Sequence, residues 1–187
     1  MTEVVRLTLV SHAMTDAMAV ARFPADEPLN DIGRRQAETI GRLDISGTAR
    51  QLAGPERRVV QTAELLGLRP MTEPRLADLD CGRWRGDMLR SISPAELNAW
   101  LTDPGQAPHG GESIVDLIER VAGWLASLTT TLPDSALPTV AVTHPAVIRA
   151  AVLRALDVAP NSFWRIDIAP VSRTVMHFRG GVWTIRL

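Results

Sequence analysis

Short β-branched apolar runs alternate along this chain with stretches whose apolar residues recur at helical spacing. That alternation confines the fold to a largely parallel sheet covered by helices. Val4 to Val10 reads as a buried strand that delivers His12 just past its carboxyl end. A Pro-containing loop, Phe23 to Leu29, leads to a helix from Asp31 on which Ile32, Gln36, Ile40 and Leu43 recur before Gly47 stops it. Arg50 to Ala53 is a second short strand. Pro55 suits the first turn of the next helix, where Val59, Ala63 and Leu66 share a face up to Gly67.

The middle, Met71 to Gly111, is less regular: it carries Asp78, Asp80 and Trp84, a short helix from Pro94, and the loop Pro104 to Gly111. Stretches of this kind between periodic segments often hold substrate contacts. After Ser113, the residues Ile114, Leu117, Ile118, Val121 and Leu125 form one face of a long helix that ends before Pro133. Thr139 to Thr143 is a strand, and Pro145 opens a helix to about Leu156. The last 25 residues read as strands, with Val175 to Leu187 a hairpin turning at Gly180-Gly181. No repeat or composition shift marks a linker, so residues 1–187 are expected to form one domain.

Twenty basic residues against twenty-one acidic ones leave a net charge of −1, and no basic block runs along the chain. Neither nucleic acid nor an anionic membrane is expected as a partner. All the basic residues are Arg, which excludes a P-loop, a pyridoxal Schiff base or a Ser-Lys dyad. Cys81 is the lone cysteine, so an internal disulfide and a Cys-x-x-Cys metal or redox site are excluded too. With no signal-like or membrane-spanning apolar run, the expected location is the cytoplasm.

Two of the four histidines occupy equivalent places, His12 after one strand and His144 after Thr139 to Thr143. The carboxyl ends of parallel strands line a common crevice, so adjacent strands would bring the two imidazoles together. Gly54-Pro55-Glu56-Arg57-Arg58 also follows a strand and opens a helix, where backbone N–H groups and an arginine suit an anion. A phosphoryl group fits that combination.

These residues carry a resemblance to the histidine phosphatase superfamily, also called phosphoglycerate mutase-like. Ser11-His12-Ala13-Met14-Thr15 resembles its Arg-His-Gly-Glu-Thr motif, and Pro28 to Ala37 resembles Pro-Leu-Thr-x-x-Gly-x-x-Gln-Ala. Gly54 to Ala63 is similar to Ser-Pro-Leu-x-Arg-Ala-x-Gln-Thr-Ala, which aligns Arg58 with the family's phosphate-binding arginine. Leu76 to Gly86 resembles Leu-x-Glu-x-Asp-x-Gly-x-Trp-Glu-Gly, Gly110 to Ser113 repeats Gly-Gly-Glu-Ser, and Val140 to Arg149 resembles Val-Val-Ser-His-Gly-Gly-Val-Ile-Arg. The blocks stand in the family's order over most of residues 4 to 155.

The resemblance implies a three-layer α/β/α sandwich with a mostly parallel sheet and a carboxyl-terminal hairpin. It implies hydrolysis of a small phosphorylated metabolite through a phosphohistidine on His12, without a cofactor or metal. Arg58 and His144 would hold the phosphoryl oxygens and Asp78, in the place of the family's Glu, would act as general acid. The departures lie beside the nucleophile: Ser11 replaces an arginine, Ala13 and Met14 replace Gly and Glu, and Pro145 replaces a Gly. Arg22 and Arg85 are the candidates to fill the gap left at position 11. With Ser11, Thr15 and His109, they complete the expected substrate contacts. The alternative is a family member that binds a phosphorylated or anionic ligand without turnover, and a homodimer is left open.

Overall fold

The structure, a computed structural model, describes residues 4–45, 47–130 and 137–186. The helix end expected before Pro133 and the hairpin end at Leu187 lie outside them. One six-stranded sheet contains β1 (Val5–Ser11), β2 (Arg50–Ala53), β3 (Met71–Thr72), β4 (Thr139–Thr143), β5 (Arg173–Arg179) and β6 (Val182–Arg186). Their order is β3-β2-β4-β1-β5-β6. The first four strands in that order run parallel, and β5 and β6 are antiparallel additions at one edge.

The period of two in the strands sorts their side chains between two apolar layers. Leu7 and Leu9 of β1, Leu52 of β2 and Ala141 of β4 face one core, built with α5 (Ile114–Thr130) and α6 (Pro145–Leu156). Val10, Ala53, Val140 and Val142 face the other, with Ala37 of α2 (Asp31–Ile40) and Val59 and Ala63 of α3 (Arg57–Leu65). The result is the three-layer α/β/α arrangement. Leu7, Leu9, Ala141 and Val142 are wholly buried, as strands covered on both faces require.

Helix starts follow local chemistry. Asn30 caps α2 by accepting from the Gly33 N–H, and Ser93 caps α4 (Pro94–Thr102), whose first position is the proline. Gly33 also governs how closely α2 can approach its neighbours. A Cβ there would lie 2.1 Å from the Met14 carbonyl oxygen, so only glycine lets α2 lie against the loop that follows His12.

Four segments differ from the sequence reading. The helix from Asp31 ends at Ile40 with Gly41 as its C-cap, so Leu43 lies beyond it and Gly47 does not stop it. Met71–Thr72 forms the parallel edge strand β3 inside a stretch read as irregular. A single helical turn, α1 (Asp16–Ala19), capped by Thr15, follows His12. Pro160–Arg165 is 3₁₀ rather than strand, and within the last 25 residues the first strand begins at Arg173. Pro160 and Pro170 each lack the N–H a ladder needs, and Phe163 is buried from the turn instead.

Candidate active site

Parallel pairing sets Ser11 opposite Thr143 and Ala53 opposite Val142, so β1, β4 and β2 end level with one another. The residues that follow them therefore converge. The rings of His12 and His144 lie 5.2 Å apart, and Arg58 reaches in from the first turn of α3. Asp78 joins from the loop after a 3₁₀ turn, Pro74–Leu76. All four sequence-predicted catalytic residues meet. Arg58 and both histidines are almost wholly removed from solvent.

The His12 Nδ1–H donates to the Ala13 carbonyl at 2.8 Å, which leaves the Nε2 lone pair free. Burial, with the positive charges of His144 and Arg58 close by, lowers the His12 pKa to about 3. At neutral pH this imidazole is uncharged, the form a nucleophile requires.

His144 is biased in the opposite direction. It sits at the N-cap of α6 ahead of Pro145, with Nε2 2.7 Å from Glu56 Oε2 and Nδ1 3.2 Å from Asp78 Oδ2. Burial opposes its charge, but Asp78 and the hydrogen bonds to both carboxylates outweigh that and raise its pKa. Asp78 feels the reverse pull: burial favours its neutral form, yet His144 and Arg58 hold its carboxyl well below the usual range. Its Oδ2 accepts from Arg58 Nη2 at 2.6 Å. Arg58 Nη2 also lies 3.4 Å from His144 Nδ1, so one carboxylate oxygen stands where two cationic donors converge.

A cavity of about 180 Å³ opens onto these groups. Thr15, Arg22, Glu27 and Arg149 line it together with His12, Arg58 and Asp78. Its remaining wall is apolar, from Ala17, Met18, Pro24, Pro145 and Ala146. A larger cavity, about 530 Å³, lies between α5, α6 and the β5–β6 hairpin around Leu125, Phe178 and Trp183. It holds no histidine and a single carboxylate, Asp157, so the chemistry belongs to the smaller one.

Of the residues expected to touch substrate, Thr15 and Arg22 line the cavity, and Ser11, Arg85 and His109 do not. Ser11 is wholly buried with its hydroxyl turned away: Oγ donates to the Ala169 carbonyl at 2.5 Å and accepts from the Ser172 N–H at 3.0 Å. Arg85 is exposed, at the end of a 3₁₀ turn. His109 is a core residue. Gly82 brings its loop so close that a Cβ would lie 2.3 Å from the His109 carbonyl oxygen, and the imidazole packs against Trp84 and Trp100 at 5.0 and 6.3 Å. Its Nδ1 accepts from the Gly111 N–H. The exposed Arg57 does not line the cavity, and its backbone N–H at the start of α3 is capped by the Asp26 carboxylate.

Three cavity or support residues escape sequence reasoning. Glu56 is visible only as a carboxylate where the resembling motif has leucine. Arg149 ends the last motif block, five residues after His144. Nothing in the sequence around Glu27 distinguishes it.

Strand ends that bring together two histidines, an arginine and a carboxylate suit a bound anion such as a phosphoryl group. The histidine phosphatase superfamily (branch 1) profile matches residues 7–187, and the chain belongs to that family. It is 32% identical over 176 residues to a glucosyl-3-phosphoglycerate phosphatase of Mycolicibacterium vanbaalenii, covering 86% of this chain and 78% of that protein. With phosphoserine phosphatase 1 of Hydrogenobacter thermophilus it shares 26% over 185 residues, 92% of this chain and 86% of the other. Among solved structures, a mycobacterial glucosyl-3-phosphoglycerate phosphatase complexed with VO3 superposes with a TM-score of 0.82 at 26% identity, over 98% of each chain. A phosphoserine phosphatase of Entamoeba histolytica gives 0.85 at 19% identity, covering 96% of this chain and 94% of that one, which speaks to the fold. No helix among the described residues is long and apolar enough to cross a membrane.

Proposed function

We propose that this protein hydrolyses a small phosphate monoester in two steps through a phosphohistidine on His12. The observation that carries the reading is the neutral His12, its Nδ1 tied to a backbone carbonyl and its Nε2 free, beside two cationic donors. In the first step Nε2 attacks phosphorus, the P–N bond forms and the P–O bond to the alcohol breaks. Arg58 and His144 stabilise the equatorial oxygens, whose charge matters most in the loose transition state. In the second step water attacks phosphorus, the P–N bond breaks and inorganic phosphate leaves.

Asp78 is the proton carrier. Its Oδ2 takes the donors of Arg58 and His144 that a phosphoryl group needs. An arriving phosphate dianion competes for those donors and sets a second negative charge beside the carboxylate. Both effects raise the Asp78 pKa, so the acid forms where and when the leaving alkoxide must be protonated. The same carboxylate then takes a proton from the attacking water. Guanidinium and imidazolium groups supply the positive charge, so this scheme calls for no metal.

The cavity is smaller than the roughly 300–1,000 Å³ of drug-sized ligand sites. A phosphoryl group and a few further atoms fill it, and the alcohol portion leaves past Met18, Pro24, Pro145 and Ala146. Relatives named for phosphoserine and for glucosyl-3-phosphoglycerate support a small phosphorylated metabolite. The Ser11 hydroxyl, turned out of the cavity, favours the competing reading of an anion-binding member without turnover.

One experiment decides between them. Para-nitrophenyl phosphate, phosphoserine and a panel of sugar and glycerate phosphates are offered in the presence of chelator. Turnover that His12→Ala abolishes is the expected result. If no ester is hydrolysed and His12→Ala still binds vanadate as the wild type does, the anion-binding reading replaces this one.

A further inference from the structure

The family's arginine beside the nucleophile is absent, and Ser11, buried and bonded to Ala169 and Ser172, offers nothing to the cavity. Two other guanidinium groups line that cavity, Arg22 and Arg149. Arg22 comes from the loop after α1, at the rim beside Pro24. Arg149 is held far more firmly. It projects from the second turn of α6, its Nε donates to the Ile166 carbonyl at 2.7 Å, and its guanidinium carbon lies 5.7 and 5.8 Å from the Phe163 and Trp164 rings. One carbonyl and two aromatic rings fix the plane of the fork before any ligand arrives.

The charge on this group lacks a close partner. Burial lowers the Arg149 pKa, with Asp167 and Asp78 opposing from a distance. Among the described residues no carboxylate lies within ion-pair distance of it. A half-buried guanidinium remains charged, and leaving it unpaired costs free energy unless a ligand anion completes the site. Its direction of approach matters too. Ile166, which holds Arg149, and Ala169, which holds Ser11, belong to one short segment between the 3₁₀ turn Pro160–Arg165 and β5. The segment that aims Arg149 into the cavity is thus the one that turns Ser11 away from it.

We infer that Arg149 supplies guanidinium donors to the bound phosphoryl group from α6, where position 11 at the end of β1 supplies none. The role in turnover rests on the phosphatase reading above; the binding role does not. Arg149 carries the principal replacement contact, and Arg22 contributes at the rim.

The test reads inorganic phosphate and vanadate binding by calorimetry in wild type, Arg149→Met, Arg149→Lys and Arg22→Ala. Methionine keeps an apolar stem against Phe163 and Trp164 but has no donors. Phosphate affinity in Arg149→Met is expected to fall about ten- to a hundred-fold, the range for a lost hydrogen bond to a charged group. Millimolar guanidinium ion should restore part of it, which a merely structural role would not allow. Arg22→Ala should lose less than about threefold. An Arg149→Met protein that melts like wild type and binds phosphate within about twofold of it overturns the inference. Should that variant fail to fold, Arg149→Lys keeps the stem and charge without the fork, and undiminished phosphate affinity there overturns it equally. A wild type that hydrolyses no ester but binds phosphate in an Arg149-dependent way refutes the phosphatase reading and leaves this one standing. A wild type that binds neither phosphate nor vanadate refutes both.

Discussion

Glu56→Gln tests how His144 is kept charged. The Glu56 carboxylate accepts twice, from His144 Nε2 at 2.7 Å and from the Asp78 backbone N–H at 2.9 Å. Glutamine has one acceptor oxygen, so one of the two contacts becomes donor facing donor. The variant loses a charge-assisted hydrogen bond, about 1.5–3 kcal/mol, and with it part of the support for the imidazolium. If that support acts fully in the transition state, kcat/KM falls about ten- to a hundred-fold. The pH dependence gives the sharper reading. The raised His144 pKa means that the cation is fully present below the ordinary histidine range and is lost as pH rises through the folded-state value. Removing the Glu56 charge lowers that value, so both the alkaline limb of kcat/KM and the alkaline loss of melting temperature move to lower pH. Wild-type and variant profiles measured at constant ionic strength, with a folded control by circular dichroism, provide the assay. An alkaline limb that does not move, with kcat/KM within about twofold of wild type, refutes the role given to Glu56.

Asp78→Asn should separate binding from turnover: vanadate inhibition strengthens because the competing carboxylate is gone, while steady-state hydrolysis falls by about a hundredfold or more. Weaker vanadate inhibition would contradict the competition. Ser11→Ala removes the buried hydroxyl that bridges the Ala169 carbonyl and the Ser172 N–H, which still bond each other, and chemical denaturation should show a loss of about 0.5–1.5 kcal/mol with little change in phosphate affinity. Gly33→Ala drives a methyl group into the Met14 backbone, and a drop in melting temperature together with reduced activity is the expected result.

The layered fold was legible because its signals are local. Apolar runs of four to seven residues, proline at helix starts and glycine at their ends do not depend on what they later pack against. His12, Arg58 and His144 were legible for a related reason, since each follows a strand and strand ends of one parallel sheet coincide. The directions of individual side chains were not. Ser11 turns toward residues about 160 positions away, and no neighbour in sequence announces that bond. His109 stands beside a Gly-Gly loop that suggests a ligand contact, yet Gly82, Trp84 and Trp100 draw it into the core. Arg149 hides among ordinary helix arginines, because what aims it is Ile166, Phe163 and Trp164 from a later segment.

The strand order also bears on how the molecule comes into being. Among the described residues β1 has β4 and β5 as its neighbours in the sheet, and both follow it by more than 120 residues. During synthesis the amino-terminal strand therefore waits, apolar and unpaired, until most of the chain has left the ribosome. Closing so long a loop is slow, and a stretch such as Leu7 to Val10 left exposed in the meantime invites aggregation. The pairing that ends this vulnerable interval is also the one that joins His12 to His144. Pairing of β1 with β4 thus protects the central strand and assembles the two halves of the reactive centre together.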